Sequence, residues 1–367
     1  MVIGPPQPKN PVLGLRPQDE PTVVPDAALV RPMSVGDLRA VSMDLLGRPP
    51  FANELEPWIG KSRDAYVEHL LGSEEFWRHW WSEQLYYFML IDTFRPRTDD
   101  VTEVPIKLSE GRLTVREALY RIALAPTFEL RNPGADTFVT VVMEQYCGIV
   151  VQDSARELEI GKSAYDGNET RFLGRPAENQ SDVVRNCVEH KSATRHFTAR
   201  EYERLTGVAP DKKDLIRWSR DLHKRPHAYI TLFAEWMRST HYDERLVRRR
   251  PKSNRLFARA LHVDLLDRLP TEDETESMRN ALDGLGDPRP LRSLFARLIL
   301  DSSKAPVPKK KDIPDPTLWV GAQYRRLLGR EATKDELRTF VTAFHEPACR
   351  PETLLYAILS HAEYQTY

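Results

Sequence analysis

The sequence predicts a mainly α-helical fold: repeated three-helix units packed into a multi-lobed protein, with few or no strands. Three observations carry that expectation. A helix ending in a Leu-Leu-Gly-like stop, a short break and a capped helix start recur four times along the 367 residues, as stacked supersecondary units do. Within each copy the apolar residues follow helical rather than alternating spacing. Strand patterns are scarce; the best candidate, residues 138–151, is rich in Val but equally suits a buried helix.

Residues 1–33 hold eight prolines and no helical period, which reads as an extended arm able to reach a partner. Ser34 opens the first helix, with Asp37 at capping-box spacing. The first copy runs Leu45-Leu46-Gly47-Arg48-Pro49-Pro50 and, with the aromatic helix that follows, forms unit 1 over 34–95. An intervening helical region spans 96–195. Unit 2, over 196–250, carries the weaker stop Leu205-Thr206-Gly207. Unit 3, over 251–305, carries Leu265-Leu266-Asp267-Arg268. A Pro- and Lys-rich linker covers 306–316, and unit 4, over 317–367, carries Leu327-Leu328-Gly329-Arg330.

Each part of the pattern has a mechanical reason. Gly47, Gly207 and Gly329 stand where a helix end calls for a left-handed residue, and Asp267 takes that place less comfortably. The expected N-caps of the next helices are Asp211, Thr271 and Thr333, with Asp214, Glu274 and Glu336 three residues on. Copy one keeps Glu54 but has Phe51 at the cap. These carboxylates read as helix-start residues rather than acid–base groups. Leu55, Leu215 and Leu337, then Trp58, Trp218 and Phe340, should face inward.

A net charge of −1 gives no field favouring nucleic acid, and no apolar run approaches the roughly 20 residues of a membrane span. The start lacks the features of a signal peptide, so the chain reads as cytoplasmic as written. Three cysteines, Cys147, Cys187 and Cys349, make no disulfide scaffold. Phosphate loops, His-Glu-x-x-His, Gly-x-Ser-x-Gly and Cys-x-x-Cys are all missing from the sequence.

Three candidate sites stand beside plainer readings. Trp77, Trp80, Trp81, Tyr86, Tyr87 and Phe88 would wall a cofactor or polysaccharide site, or simply build a core helix. The basic run 245–255 (Arg245, Arg248, Arg249, Arg250, Lys252, Arg255) would meet an acidic partner, or serve as a solvated connector. Cys187, His190 and His196 offer a thiolate and two imidazoles within ten residues, one ligand short of a closed zinc site.

On Asp44-Leu45-Leu46-Gly47-Arg48-Pro49-Pro50, Leu70-Leu71-Gly72-Ser73-Glu74-Glu75-Phe76 and Trp80-Trp81, the chain resembles the domain of unknown function found in planctomycete cytochrome c proteins. Phe197-Thr198-Ala199-Arg200-Glu201-Tyr202 is similar to a helix start in that family. The resemblance sets His190 on the haem-type histidine, with Cys187 one residue out of register and Asn186 and Glu189 at the cysteine positions. It implies a degenerate haem motif, and periplasm or cell surface for a processed fragment. Copy four also resembles a short helical repeat of bacterial surface proteins.

The function expected is a non-catalytic structural or protein-interaction subunit of a larger assembly, most simply without cofactor. The alternative is a haem- or metal-binding protein that uses His190, with Cys187 or His196 in support.

Overall fold

The computed structural model describes residues 32–91, 102–302 and 304–367; the arm expected at 1–33 lies outside the described residues save for its last two. Helix α1 (Val35–Leu46) starts at a Ser34–Asp37 capping box and stops at Gly47 with φ +65°. Then come α2 (Ala52–Leu55), α3 (Arg63–Leu71) and the aromatic α4 (Glu74–Met89). The intervening region contributes α5 (Val104–Ser109), α6 (Val115–Ala123), α7 (Pro126–Arg131), α8 (Gly134–Val141), α9 (Ala155–Tyr165) and α10 (Gln180–Val188). Residues 138–151, open between strand and helix in the sequence, are the end of α8, the π-helical turn Val142–Tyr146 and the loop beyond it.

The remaining helices are α11 (Lys191–Thr206), α12 (Lys212–Lys224), α13 (Tyr229–Trp236), α14 (Thr240–Val247), α15 (Asn254–Leu266), α16 (Glu272–Asp283), α17 (Arg289–Asp301), α18 (Pro316–Leu328), α19 (Lys334–His345) and α20 (Pro351–Leu359). The described residues thus form twenty α-helices and one two-stranded antiparallel hairpin, β1 (Thr170–Phe172) and β2 (Arg175–Ala177). Its turn, Leu173-Gly174, has positive φ at both positions, which suits the twist of a tight hairpin.

The expected stops and caps are in place. Gly47, Asp267 and Gly329, together with Gly207, all adopt left-handed φ, from +49° to +79°. Thr271 with Glu274, and Thr333 with Glu336, form complete capping boxes, while Glu54 accepts from the Phe51 N–H at 2.9 Å. Copy two departs: the Asp211 side chain caps nothing, and Asp214 turns to Arg217 at 3.2 Å.

One device that the sequence reading did not use stiffens three of these junctions. The arginine just past the left-handed residue grips the capping-box glutamate six positions on with two N–H groups. Arg48 does so to Glu54, Arg268 to Glu274 and Arg330 to Glu336, all at 2.7–3.0 Å. Arg48 and Arg330 also clasp a second glutamate at the far end of their stretch, Glu75 and Glu363, at 2.5–2.7 Å. Such planar, bidentate pairs use the guanidinium in full. Copy two has Val208 at this place and makes no such clasp.

The four stretches do not each carry a core. Buried apolar side chains gather in one large cluster running from Met33 to Tyr242, a second from Phe257 to Tyr364, and a small group of Ile313, Phe344 and Leu354. The residues expected as a linker at 306–316 supply Ile313 to that small group. Trp77, Trp80 and Trp81 are buried, packed with Phe197, Tyr229, Phe233 and Trp236, so α4 is a core helix and its tryptophans do not wall a cleft. Between the two large cores runs a polar seam. Arg39 grips Asp264 with two bonds of 2.9 Å, and both side chains are almost wholly buried. The start of α1 crosses the end of α18 so closely that a Cβ on Gly36 would stand 2.8 Å from the Gly329 carbonyl oxygen.

Candidate functional site

Of the three residues singled out for metal or haem, the structure brings two together with a third that the sequence did not single out. Cys187 lies near the end of α10 and His190 is the N-cap of α11, its Nδ1 accepting from the Ser192 N–H at 3.3 Å. Cys147 follows the π-helical turn and gives its S–H to the Cys187 carbonyl at 3.1 Å. A separate side-chain hydrogen bond with the Cys187 thiol first, and one with His190 next, stabilise the thiolate and bring the Cys147 thiol down to about 7 against the opposing effect of burial. The same contact with Cys147 raises His190, whereas burial pushes Cys187 up. The distance of 40 residues between Cys147 and Cys187 hid this grouping; nothing in local spacing signals it.

His196 stands elsewhere. Its ring packs on Gly148, where a Cβ would come within 2.6 Å of it, and it hydrogen-bonds the Gln145 backbone. Burial, then the charge of Arg200, holds it in the neutral form. Among the described residues no group of three or more His, Cys, Asp and Glu side chains is disposed to hold a metal ion.

These residues do not fit covalent haem. Asn186 cannot form a thioether, and its amide is spent on the carbonyls of Phe172, Arg175 and Pro176 at 3.0–3.4 Å, fastening the hairpin to α10. His190 is occupied as a helix cap and as the partner of Cys147. The cavity lined by Tyr146 and Val188, the chain neighbours of the two cysteines, has about 30 Å³, enough for one water-sized guest. Cys147 itself is 1% exposed, so a substrate has no path to its sulfur. The pair is a buried thiol–imidazole contact, not an open nucleophilic centre.

The basic run 245–255 does not form a free docking strip. Asp44, fully buried on α1, collects Tyr242 Oη at 2.9 Å, Arg245 Nη2 at 3.0 Å, Tyr367 Oη at 3.1 Å and the Arg250 guanidinium. These cations hold the Asp44 carboxyl below the usual range despite its burial. Lys252 bonds the Tyr364 carbonyl, and Arg255 reaches Glu83 at 2.8 Å and Ser82 Oγ at 2.5 Å. Of the run, Arg248 is the most exposed. Arg245, Lys252 and Arg255 are thus buried, because groups distant in sequence fold against them, while Arg248 and Arg249 stay exposed.

A different surface stands exposed among the described residues. Helix α17 buries Arg292, Ala296 and Leu300 and leaves Leu294 49% and Leu298 55% exposed. Beside them a groove of about 440 Å³ runs between α16 and α17, lined by Leu266, Met278, Phe295 and Ile299 with Arg268 and Lys304 among its polar edges. No described helix is long and apolar enough to cross a membrane.

Comparison with known families, curated proteins and solved structures finds no match to this chain.

Proposed function

We propose that this chain is a non-catalytic interaction subunit, a helical scaffold that seats a neighbouring protein on the α16–α17 face. The observation that carries the reading is the exposed pair Leu294 and Leu298 beside the apolar groove. Two leucines one turn apart, half out of the protein beside a pocket of apolar walls, are what a partner helix buries. The repeated carboxylates support the same reading: Glu54, Glu274 and Glu336 are consumed by caps and arginines, which leaves them unavailable for proton transfer. The likeness to the cytochrome-associated family belongs to this proposal as an origin for the scaffold without its haem.

Light scattering on the full chain, purified gently from its native source, tests the reading. The expected mass exceeds the 42.3 kDa of one chain and falls to it in a Leu294→Asp/Leu298→Asp variant that retains its helical circular dichroism. A wild-type monomer without a co-purifying protein counts against it. The rival, a haem or metal held by His190 with Cys187 or His196, predicts a Soret band or stoichiometric metal in that same sample, lost in His190→Ala.

A further inference from the structure

Two of the three cysteines meet inside the first core, and the interaction reading gives them no task. Cys147 and Cys187 are 1% and 0% exposed and belong to the same apolar cluster. Both are free thiols in this structure, and they touch twice. The Cys147 S–H reaches the Cys187 carbonyl at 3.1 Å, and the Cys187 S–H is bonded to the Cys147 sulfur. They are 40 positions apart, and between them lie α9, the β1–β2 hairpin and most of α10. Cys349 stands elsewhere, against the small group of Ile313, Phe344 and Leu354.

The place of each cysteine in the chain suits a bond between them. Cys187 is held one residue before the end of α10. Cys147 lies outside any helix, on the turn that follows the π-helical residues, and its neighbour Gly148 has φ +62°. A turn of this kind can give by the one or two ångströms that separate a thiol contact from the roughly 2 Å of a sulfur–sulfur bond, while α10 stays in place. Charge favours closure as well. The Cys147 thiol is brought down to about 7, so near neutral pH the reduced core holds a large share of buried thiolate. A buried ion is costly even beside its partner. A disulfide is neutral and apolar, and removes it.

We propose that Cys147 and Cys187 are joined by a disulfide in the working protein, made by exchange with a small disulfide while the chain closes. The Cys147 thiolate attacks one sulfur of the small disulfide RSSR, forms a mixed disulfide and expels RS⁻, which takes up the Cys147 proton as RSH. Cys187 then attacks the Cys147 sulfur, forms the protein bond and expels the second RS⁻, which takes up the Cys187 proton. Two protein thiols and RSSR become one protein disulfide and two RSH; the cysteines are oxidised and RSSR is reduced. The exchange takes place before the turn at 147–149 seats on the α10–α11 junction. Afterwards the 1% exposure that seals the thiol seals the bond from reductants. By closing a loop of 40 positions the bond restricts the unfolded chain, so the bridged protein outlasts the reduced one in denaturant. It also places the folding of this chain in a compartment where small disulfides are at hand.

Thiol counting by mass spectrometry on the full chain from its native source, unfolded in guanidine with a maleimide and without reductant, tests this. We expect one labelled cysteine, Cys349, and an unlabelled mass about 2 Da below that of the reduced chain, the two hydrogens lost in the exchange. After reduction all three cysteines should label. Proteolysis before reduction should yield a cross-linked peptide pair that holds Cys147 and Cys187. The midpoint of urea unfolding should fall on reduction in wild type and in Cys349→Ser, and should ignore reductant in Cys147→Ala/Cys187→Ala. The count on wild type stands even where that double variant fails to fold. Three cysteines labelled at once without reductant, a bond that uses Cys349, a bond between two copies of the chain, or a wild-type urea midpoint indifferent to reductant would overturn the proposal.

Discussion

Replacing Asp44 by Asn removes one negative charge and alters little else in shape, so its cost reports the seam alone. In the wild type the carboxylate takes hydrogen bonds from Tyr242, Arg245, Arg250 and Tyr367. Arg245 has a side chain only 2% exposed, and its Nε and Nη1 have no hydrogen-bond partner among the described residues. Asp44 is therefore the counter-charge that makes this burial tolerable. Breaking a buried pair by neutralising one member costs about 3–5 kcal/mol, because the other is left charged out of water. Arg250 is 30% exposed on its side chain, can rehydrate in part, and adds little to that figure. Urea unfolding of Asp44→Asn should thus show a loss of about 3–5 kcal/mol, a large fraction of the roughly 5–15 kcal/mol that holds a domain together. Adding Arg245→Met to Asp44→Asn should recover part of the loss, since the stranded charge is then gone. A loss below about 1 kcal/mol in Asp44→Asn, or no recovery in the double variant, would refute the argument that the seam is a desolvated ionic joint.

Three further outcomes follow from the geometry. Arg268 foremost holds Glu274, and Arg330 foremost holds Glu336, at about 2, below the ordinary value of about 4.3. Their folded-state values are depressed, so this stabilisation is present above about pH 4.3 and lost as pH falls towards 2. Both are partly exposed, so Glu274→Gln/Glu336→Gln should cost at most about 1 kcal/mol per site at neutral pH and nothing at the acid end, read from urea midpoints across the pH range. Gly36→Ala should destabilise by roughly 1–3 kcal/mol, because a backbone oxygen, Gly329 O, lies 2.8 Å from the added methyl; an unchanged thermal midpoint would contradict that packing. Removing the imidazole in His190→Ala, the second cause of the lowering, should raise the Cys147 thiol above about 7, followed by thiolate absorbance in a Cys349→Ser background with and without the substitution; Cys187, pushed up by burial, stays protonated there.

The parts legible in the sequence are those fixed by neighbours within about one helical turn or two. A glycine, a capping threonine and a glutamate three residues later specify a stop and a start on their own, and those at Gly47, Thr271 and Thr333 stand as read. The arginine clasps were equally local, six residues from Arg268 to Glu274, and the spacing Gly-Arg to Glu could have revealed them. Asp211 and Asp214 had the right spacing but form no box, and Val208 stands where the clasping arginine would be. What the sequence hid were long-range polar contacts. Asp44 meets Arg245 across 201 residues and Arg39 meets Asp264 across 225, so the basic run looked solvated although Arg245, Lys252 and Arg255 are buried. Cys147 and His190 likewise meet only through tertiary packing of the loop after the π-helical turn on the α10–α11 junction.

Amide hydrogen exchange, compared between the chain within its native assembly and the same chain after the partner has been removed, tests the interaction reading most directly. Amides of α16 and α17, around Leu294 and Leu298, should exchange more slowly in the assembly, with smaller changes elsewhere. Equal exchange of these two helices in both samples, or protection confined to other surfaces, would contradict it.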